Sequence, residues 1–163
     1  MRVVIQKVKS ASVTVEEKVI SSIGKGLMLL VGVSTHDTMD DVAKLSKKLL
    51  SLRVFEDLSQ PPETATKWYG KPWAKNVVDI EGEILSVSQF TLYGTIKKGT
   101  KPDFHKAAKG HHAIELYESF LDQLRQGLGQ DKVKDGEFGA MMDVALVNDG
   151  PVTIIWDTKD MSI

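Results

Sequence analysis

Ser88-Gln89-Phe90-Thr91-Leu92 sets two hydroxyls and an amide at the end of an otherwise apolar strand, just before Gly94. Backbone N–H groups at such a strand end can stabilise a developing oxyanion, while Gln89 and Thr91 orient a substrate or a water. The same residues would equally serve as an ordinary polar strand cap. Ser86 and Ser88 fall inside the strand and no glycine-flanked serine elbow occurs, so the spacing supports no catalytic triad with a histidine. The histidines are His36, His105, His111 and His112. Adjacent residues on a helix point in different directions, so His111 and His112 do not share a metal and read as solvated surface residues.

Gly94-Thr-Ile-Lys-Lys-Gly99-Thr100-Lys101 has the glycines and lysine of a phosphate loop in the wrong order. Such a loop needs Lys and then Ser or Thr directly after the second glycine, opening a helix, whereas here Thr precedes Lys and Pro102 follows. Lys97, Lys98, Lys101, Lys106 and Lys109 nevertheless crowd into one stretch with Phe104 and His105, where Asp103 is the only acid. Mobile lysines bind phosphate oxygens as point charges and an aromatic neighbour offers a stacking face, so a single-stranded nucleic-acid end fits this patch, as does a plain solvated loop. Asp149-Gly150-Pro151 has ordinary turn composition; in a cis arrangement its carbonyls would present paired acceptors to an ammonium group.

The elements that must carry these residues are short strands and two helices. Val3–Val8, Ala11–Glu16 and Val19–Ile23 alternate with period two and read as a meander. Gly26–Val33 is a continuous apolar run, the pattern of a central strand covered on both faces. Thr38 to Asp41 forms a capping-box variant ahead of Val42, Leu45 and Leu49, which predicts a helix to about Leu52. After Phe55 the polar, proline-rich stretch from Leu58 to Trp73 reads as a long surface loop whose aromatic residues could fold back onto the body. Glu83–Leu92 is a strand, Tyr93–Lys109 carries no periodic pattern, and Ala113, Tyr117, Phe120, Leu121, Leu124 and Leu128 make the stripe of a second helix. Met142–Leu146 and Val152–Trp156 alternate on either side of a break at Asn148–Pro151. The expectation is a single α+β domain spanning 1–163, with a curved, barrel-like, mainly antiparallel sheet and two covering helices.

Composition narrows the classes further. The 163 residues contain no cysteine, which removes disulfide scaffolds, thiol nucleophiles and thiolate metal sites and points to a reducing compartment, the cytoplasm. A net charge of −1 gives no global argument for a nucleic-acid or membrane partner, so any such argument rests on the local lysine cluster. No apolar run reaches the roughly 18 residues of a membrane helix, and the N-terminus alternates like a strand rather than a leader.

Six blocks in order carry a resemblance: Met1-Arg-Val-Val-Ile-Gln-Lys-Val, Ile23-Gly-Lys-Gly-Leu, Ser88-Gln-Phe-Thr-Leu, Lys98-Gly-Thr-Lys-Pro-Asp-Phe, Gly136-Glu-Phe-Gly-Ala-Met-Met and Val147-Asn-Asp-Gly-Pro-Val-Thr. Over most of its length the chain resembles the D-aminoacyl-tRNA deacylases. It departs from them at Glu16-Glu17-Lys18, where a glycine-containing hairpin turn is usual, and in a longer loop from Leu58 to Trp73. The resemblance implies a hydrolase that cleaves the ester joining a D-amino acid, and also glycine, to the 3′-terminal adenosine of tRNA, sparing L-aminoacyl-tRNA. It implies a homodimer with each active site at the interface, Ser88, Gln89, Phe90 and Thr91 of one subunit facing Gly150 and Pro151 of the other. In the family the Gly150-Pro151 bond is cis, and its carbonyls would hold the substrate's α-amino group so that an L side chain has no room. Phe138, Gly139 and Met142 would line the pocket for the terminal adenine, and Lys97, Lys98 and Lys101 would contact tRNA phosphates. No metal or cofactor is implied. Thr91 has no evident base beside it, so the expected nucleophile is water, assisted by the ribose 2′-hydroxyl, with N–H groups near Phe90 and Thr91 as the oxyanion hole. Two other readings are a non-catalytic module that holds tRNA ends, and a hydrolase of free D-amino-acid esters or peptides whose turnover would need no tRNA and depend little on salt.

Overall fold

The computed structural model describes residues 1–62 and 67–160. The middle of the expected 58–73 loop, residues 63–66, lies outside the described residues.

Strand β1 (Arg2–Val15) is a single element where the sequence reading has two. It forms a long antiparallel hairpin with β2 (Lys18–Ile23) and β3 (Gly26–Gly32), running in near-constant register from Val15↔Lys18 to Arg2↔Gly32. The expected meander of Val3–Val8, Ala11–Glu16 and Val19–Ile23 is therefore corrected: its first two runs are one continuous strand, and β2 and β3 follow each other along the same edge of it. The polar residues around Lys9 do not end the strand, because bulges in its pairing with β8 (Asp143–Asp157) absorb them. Strand β8 takes the other edge of β1 and is one element through Asn148–Pro151, but at the expected break its pairing jumps from Val8↔Asn148 to Gln6↔Thr153 and leaves Asp149–Val152 without β1 partners.

Helix α1 (Met39–Ser51) begins at the foreseen cap, the Thr38 N–H donating to Asp41 Oδ2 at 2.9 Å. Next come β4 (Phe55–Asp57) and β5 (Lys71–Lys75), which pair antiparallel, so the two ends of the expected loop are stitched into a small ribbon. β6 (Glu83–Ser88) lies parallel to β3, and α2 (Gly110–Leu128) leads into β7 (Val133–Asp135), parallel to β6. Three residues are too few for a periodic signal, which is why β7 escapes the sequence.

The sheet runs β8-β1-β2/β3-β6-β7 and is mixed and strongly curved, with α1 and α2 on one side. Leu27, Leu29 and Val31 point into the layer packed by Leu45 and Leu49 of α1 and by Phe120 and Leu124 of α2. Met28 points the opposite way, into a second cluster with Val8, Val13, Leu85 and Val87 inside the curl of the sheet. Burial of β3 on both faces explains its unbroken apolar run, each fully buried side chain adding about 1.5–3 kcal/mol. The helices come close because position 127 is glycine: a Cβ there would stand 2.3 Å from Leu50 Cδ1.

Candidate active site

Parallel β3 and β6 end side by side, and the chain leaves β6 at Ser88. The expected strand to Leu92 stops there, since Phe90–Tyr93 winds into one turn of 3₁₀ helix. The Gln89 N–H still donates to Val31 O at 2.7 Å, so the turn starts from a backbone pinned to β3. The opening N–H groups of such a turn have no acceptor inside it. Those groups belong to Phe90 and Thr91.

Arg2 holds the other end of the turn. Its Nη1 donates to Leu92 O at 2.7 Å, its Nε to Asp157 at 3.1 Å, and its guanidinium lies 4.7 Å from the Tyr93 ring centroid. Burial raises the pKa of the Tyr93 hydroxyl, with the Asp37 and Asp157 charges adding to the effect, so this tyrosine is neutral.

A cavity of about 350 Å³ opens at this strand end. Ser88, Gln89 and Phe90 line one side; Phe138, Gly139 and Met142, from the segment joining β7 to β8, line the other. Two groups of expected site residues, far apart in the chain, thus share one pocket. Phe90 is 56% exposed and meets the Phe104 ring edge-on at 5.1 Å, while Phe138 sits 6.1 Å from Tyr117. Gly139 has φ +79°, a conformation that favours glycine. Thr91 is exposed and does not line the cavity; its hydroxyl accepts a hydrogen bond from the Gln89 amide, a group that cannot take a proton from it. Among the described residues no carboxylate or imidazole hydrogen-bonds that hydroxyl. Ser86 is buried, its hydroxyl 2.9 Å from Tyr117 Oη, which makes it a core residue.

Lys97, Lys98 and Lys101 are exposed on a loop closed by paired Thr95 and Asp103 backbones. Phe104 follows the loop and ties it to Phe90 at the pocket rim. His105 pairs with Asp103, and the hydrogen bond from the ring lowers the carboxyl pKa. His111 and His112 are exposed at the start of α2. Among the described residues no group of three or more histidines and carboxylates stands close enough to hold a metal ion.

Gly150 and Pro151 are joined by a cis peptide and are not in this pocket. Gly150 borders a second cavity, with Asp149, Glu56, Lys67, Trp68 and Tyr69. One chain therefore does not bring Gly150 to Ser88.

The residue that sequence reasoning missed is Lys7. Its side chain is 1% exposed and its Nζ donates to Glu56, with Asp149 at 3.7 Å. The Phe55 and Trp68 rings lie 5.7 and 5.8 Å from the same nitrogen. Burial acts to raise the Glu56 pKa, but the Lys7 hydrogen bond and the surrounding backbone and lysine charges outweigh it and leave the carboxyl below its ordinary 4.5. The signal was present in the alternation itself, since Lys7 occupies the slot after Val3 and Ile5, which face the core.

The family described as D-Tyr-tRNA(Tyr) deacylase matches residues 4–157. A D-aminoacyl-tRNA deacylase of Saccharomyces cerevisiae is 60% identical over 158 residues, 97% of this chain and 99% of that protein. One from Drosophila melanogaster is 52% identical over 154 residues, 94% of this chain and 90% of that protein. A solved structure named c-Myc DNA Unwinding Element Binding Protein is 47% identical with a TM-score of 0.86, covering 96% of this chain and 98% of that one. Another, described as a "probable eukaryotic D-amino acid tRNA deacylase", shares the fold at 20% identity and a TM-score of 0.77, covering 95% of this chain and 97% of that one.

Proposed function

The chain belongs to the D-Tyr-tRNA(Tyr) deacylase family, and from that premise we propose that it is a D-aminoacyl-tRNA deacylase, a hydrolase acting on ester bonds. Its substrate is the ester between a D-amino acid, or glycine, and the 3′-terminal adenosine of tRNA; L-aminoacyl-tRNA is spared, so the activity is chiral proofreading. We place it in the cytoplasm. Among the described residues no helix is long and apolar enough to cross a membrane.

The observation that carries this reading is the cavity shared by Ser88–Phe90 and Phe138–Met142. Phe138 offers the terminal adenine a stacking face and Met142 an apolar wall, while the ester carbonyl points toward the Phe90 and Thr91 N–H groups. Water attacks the carbonyl, assisted by the ribose 2′-hydroxyl. The N–H groups stabilise the oxyanion, and the ester oxygen leaves on the tRNA with a proton. The exposed lysines 97, 98 and 101 lie beyond Phe104, where the tRNA phosphates would pass.

The working form is a homodimer. Gly150 stands apart from the pocket within one chain, and β8 exposes Val144, Val147 and Ile155, with Met141 just before it, as expected of a strand covered by a second copy. In that dimer Gly150 and Pro151 of one subunit face the Ser88 pocket of the other, and their carbonyls accept the substrate's α-ammonium group. An L side chain is then shut out by steric conflict.

Deacylation of D-tyrosyl-, glycyl- and L-tyrosyl-tRNA by the purified protein without added metal is the test. Loss of the D and glycyl esters with the L ester spared is the expected result. Survival of all three while tRNA still binds would leave a module that only holds tRNA ends, and turnover of a tRNA-free D-ester at an equal rate would point to a simple esterase.

A further inference from the structure

The stretch Lys67-Trp68-Tyr69-Gly70-Lys71-Pro72-Trp73-Ala74-Lys75 holds three lysines, three aromatic residues and no acid. It forms β5 and the approach to it. We propose that this ribbon binds the single-stranded 3′ end of the aminoacyl-tRNA, its aromatic rings stacking on bases and its lysines meeting phosphates. The inference rests on the deacylase reading and assigns a part of its substrate to a surface outside the Ser88 pocket.

Four features place and shape the ribbon. Lys7 binds it from beneath: the same Nζ that pairs with Glu56 of β4 and Asp149 of β8 lies 5.8 Å from the Trp68 ring. The ribbon is thereby held next to Gly150, and Lys67, Trp68 and Tyr69 share a cavity of about 350 Å³ with Asp149 and Gly150. Gly70 lets it lie flat on β4, since a Cβ there would stand 2.5 Å from Asp57 O. A bulge in the β4–β5 pairing, with Trp73 at φ +56°, re-aims the Trp73 ring, which meets Trp68 at 5.8 Å.

The result is an aromatic shelf open to solvent, Tyr69 being 94% and Trp73 52% exposed. Core packing accounts for neither ring. Each neighbouring acid stands beside a cation, Glu56 and Asp149 sharing the single Lys7 charge and Asp57 lying 3.8 Å from Lys75, which lowers the repulsion a polyanion meets there. Exposed rings alternating with lysines fit a single strand of nucleic acid, whose bases stack on any aromatic face while its phosphates follow the cations. In the proposed dimer, Gly150 of one subunit closes the pocket of its partner, so the ribbon flanks the ester and reaches the unpaired nucleotides leading to it.

The test uses the full-length protein with two probes, unacylated tRNA and the oligoribonucleotide ACCA. Both are expected to quench tryptophan fluorescence. Tyr69→Ala is expected to weaken tRNA binding and raise KM about tenfold with little change in kcat, while Tyr69→Phe keeps wild-type values. Lys67→Ala is expected to reduce the slope of log affinity against log salt by about 0.7. Quenching with wild-type KM in Tyr69→Ala, or no quenching by a tRNA that the enzyme deacylates, would overturn the proposal alone. So would a variant that becomes monomeric yet binds tRNA as before, since the ribbon would then be a contact between subunits. If the wild type quenches with ACCA but deacylates nothing, the catalytic reading fails and the binding surface stands.

Discussion

Thr91 and Lys7 separate chemistry from architecture at the scale of single residues. The Thr91 hydroxyl bonds only the neutral Gln89 amide among the described residues, so nothing prepares it to attack a carbonyl. Thr91→Ala is expected to keep kcat within about tenfold of wild type, whereas loss of a true nucleophile costs on the order of 10⁶-fold. A fall of that size with tRNA binding intact would make Thr91 the nucleophile. Lys7 is a buried cation whose removal strands Glu56. Lys7→Met should destabilise the fold by about 3–5 kcal/mol in denaturant unfolding, and adding Glu56→Gln should restore a large part of that. The Glu56 pKa is lowered on folding, so the pair stabilises above 4.5 and its contribution fades as pH falls through the folded value. The cost of Lys7→Met is therefore expected to shrink in acid, and a constant cost from pH 7 to pH 3 would contradict the pairing.

Among the elements, the β1–β2 hairpin carries a local conflict. Its two-residue turn is Glu16-Glu17 with φ +47° and +66°, a conformation that glycine and asparagine take easily and glutamate does not. Glu17→Gly should stabilise the protein by about 1 kcal/mol, read as a higher unfolding midpoint with an unchanged slope. The hairpin holds nonetheless because its β1 side, from Ser10 to Thr14, is fastened on the other edge by β8. Pairing also decides β8, where Asn148–Pro151 reads as a break: Asp149–Val152 have no β1 partner, yet the strand resumes because Thr153–Asp157 pair with Gln6–Arg2. Helices behaved differently: the Thr38 cap and the apolar stripes place α1 and α2 correctly, since capping and i, i+4 contacts are local.

At the level of the whole molecule, the proposed dimer predicts that one charge on β8 silences the enzyme without unfolding it. Val147 is exposed in the single chain, so Val147→Glu should leave the circular dichroism and unfolding midpoint near wild type. It should also convert the protein to a monomer in sedimentation and abolish deacylation. A monomeric Val147→Glu enzyme with full activity would show that each chain owns a complete site.

Local pattern was enough for the α+β class, the two helices and the doubly covered β3, because periodicity and caps are written in neighbouring positions, whereas candidates such as Phe138 and Met142 came from the resemblance that the motif blocks carry. Long-range pairing decided the rest. It wound Phe90–Tyr93 off the end of β6, joined Phe138 to Ser88 in one pocket, kept Gly150 out of it, and buried Lys7 against Glu56. Each of these depends on which distant segment reaches a given surface, and on the charge and burial it finds there.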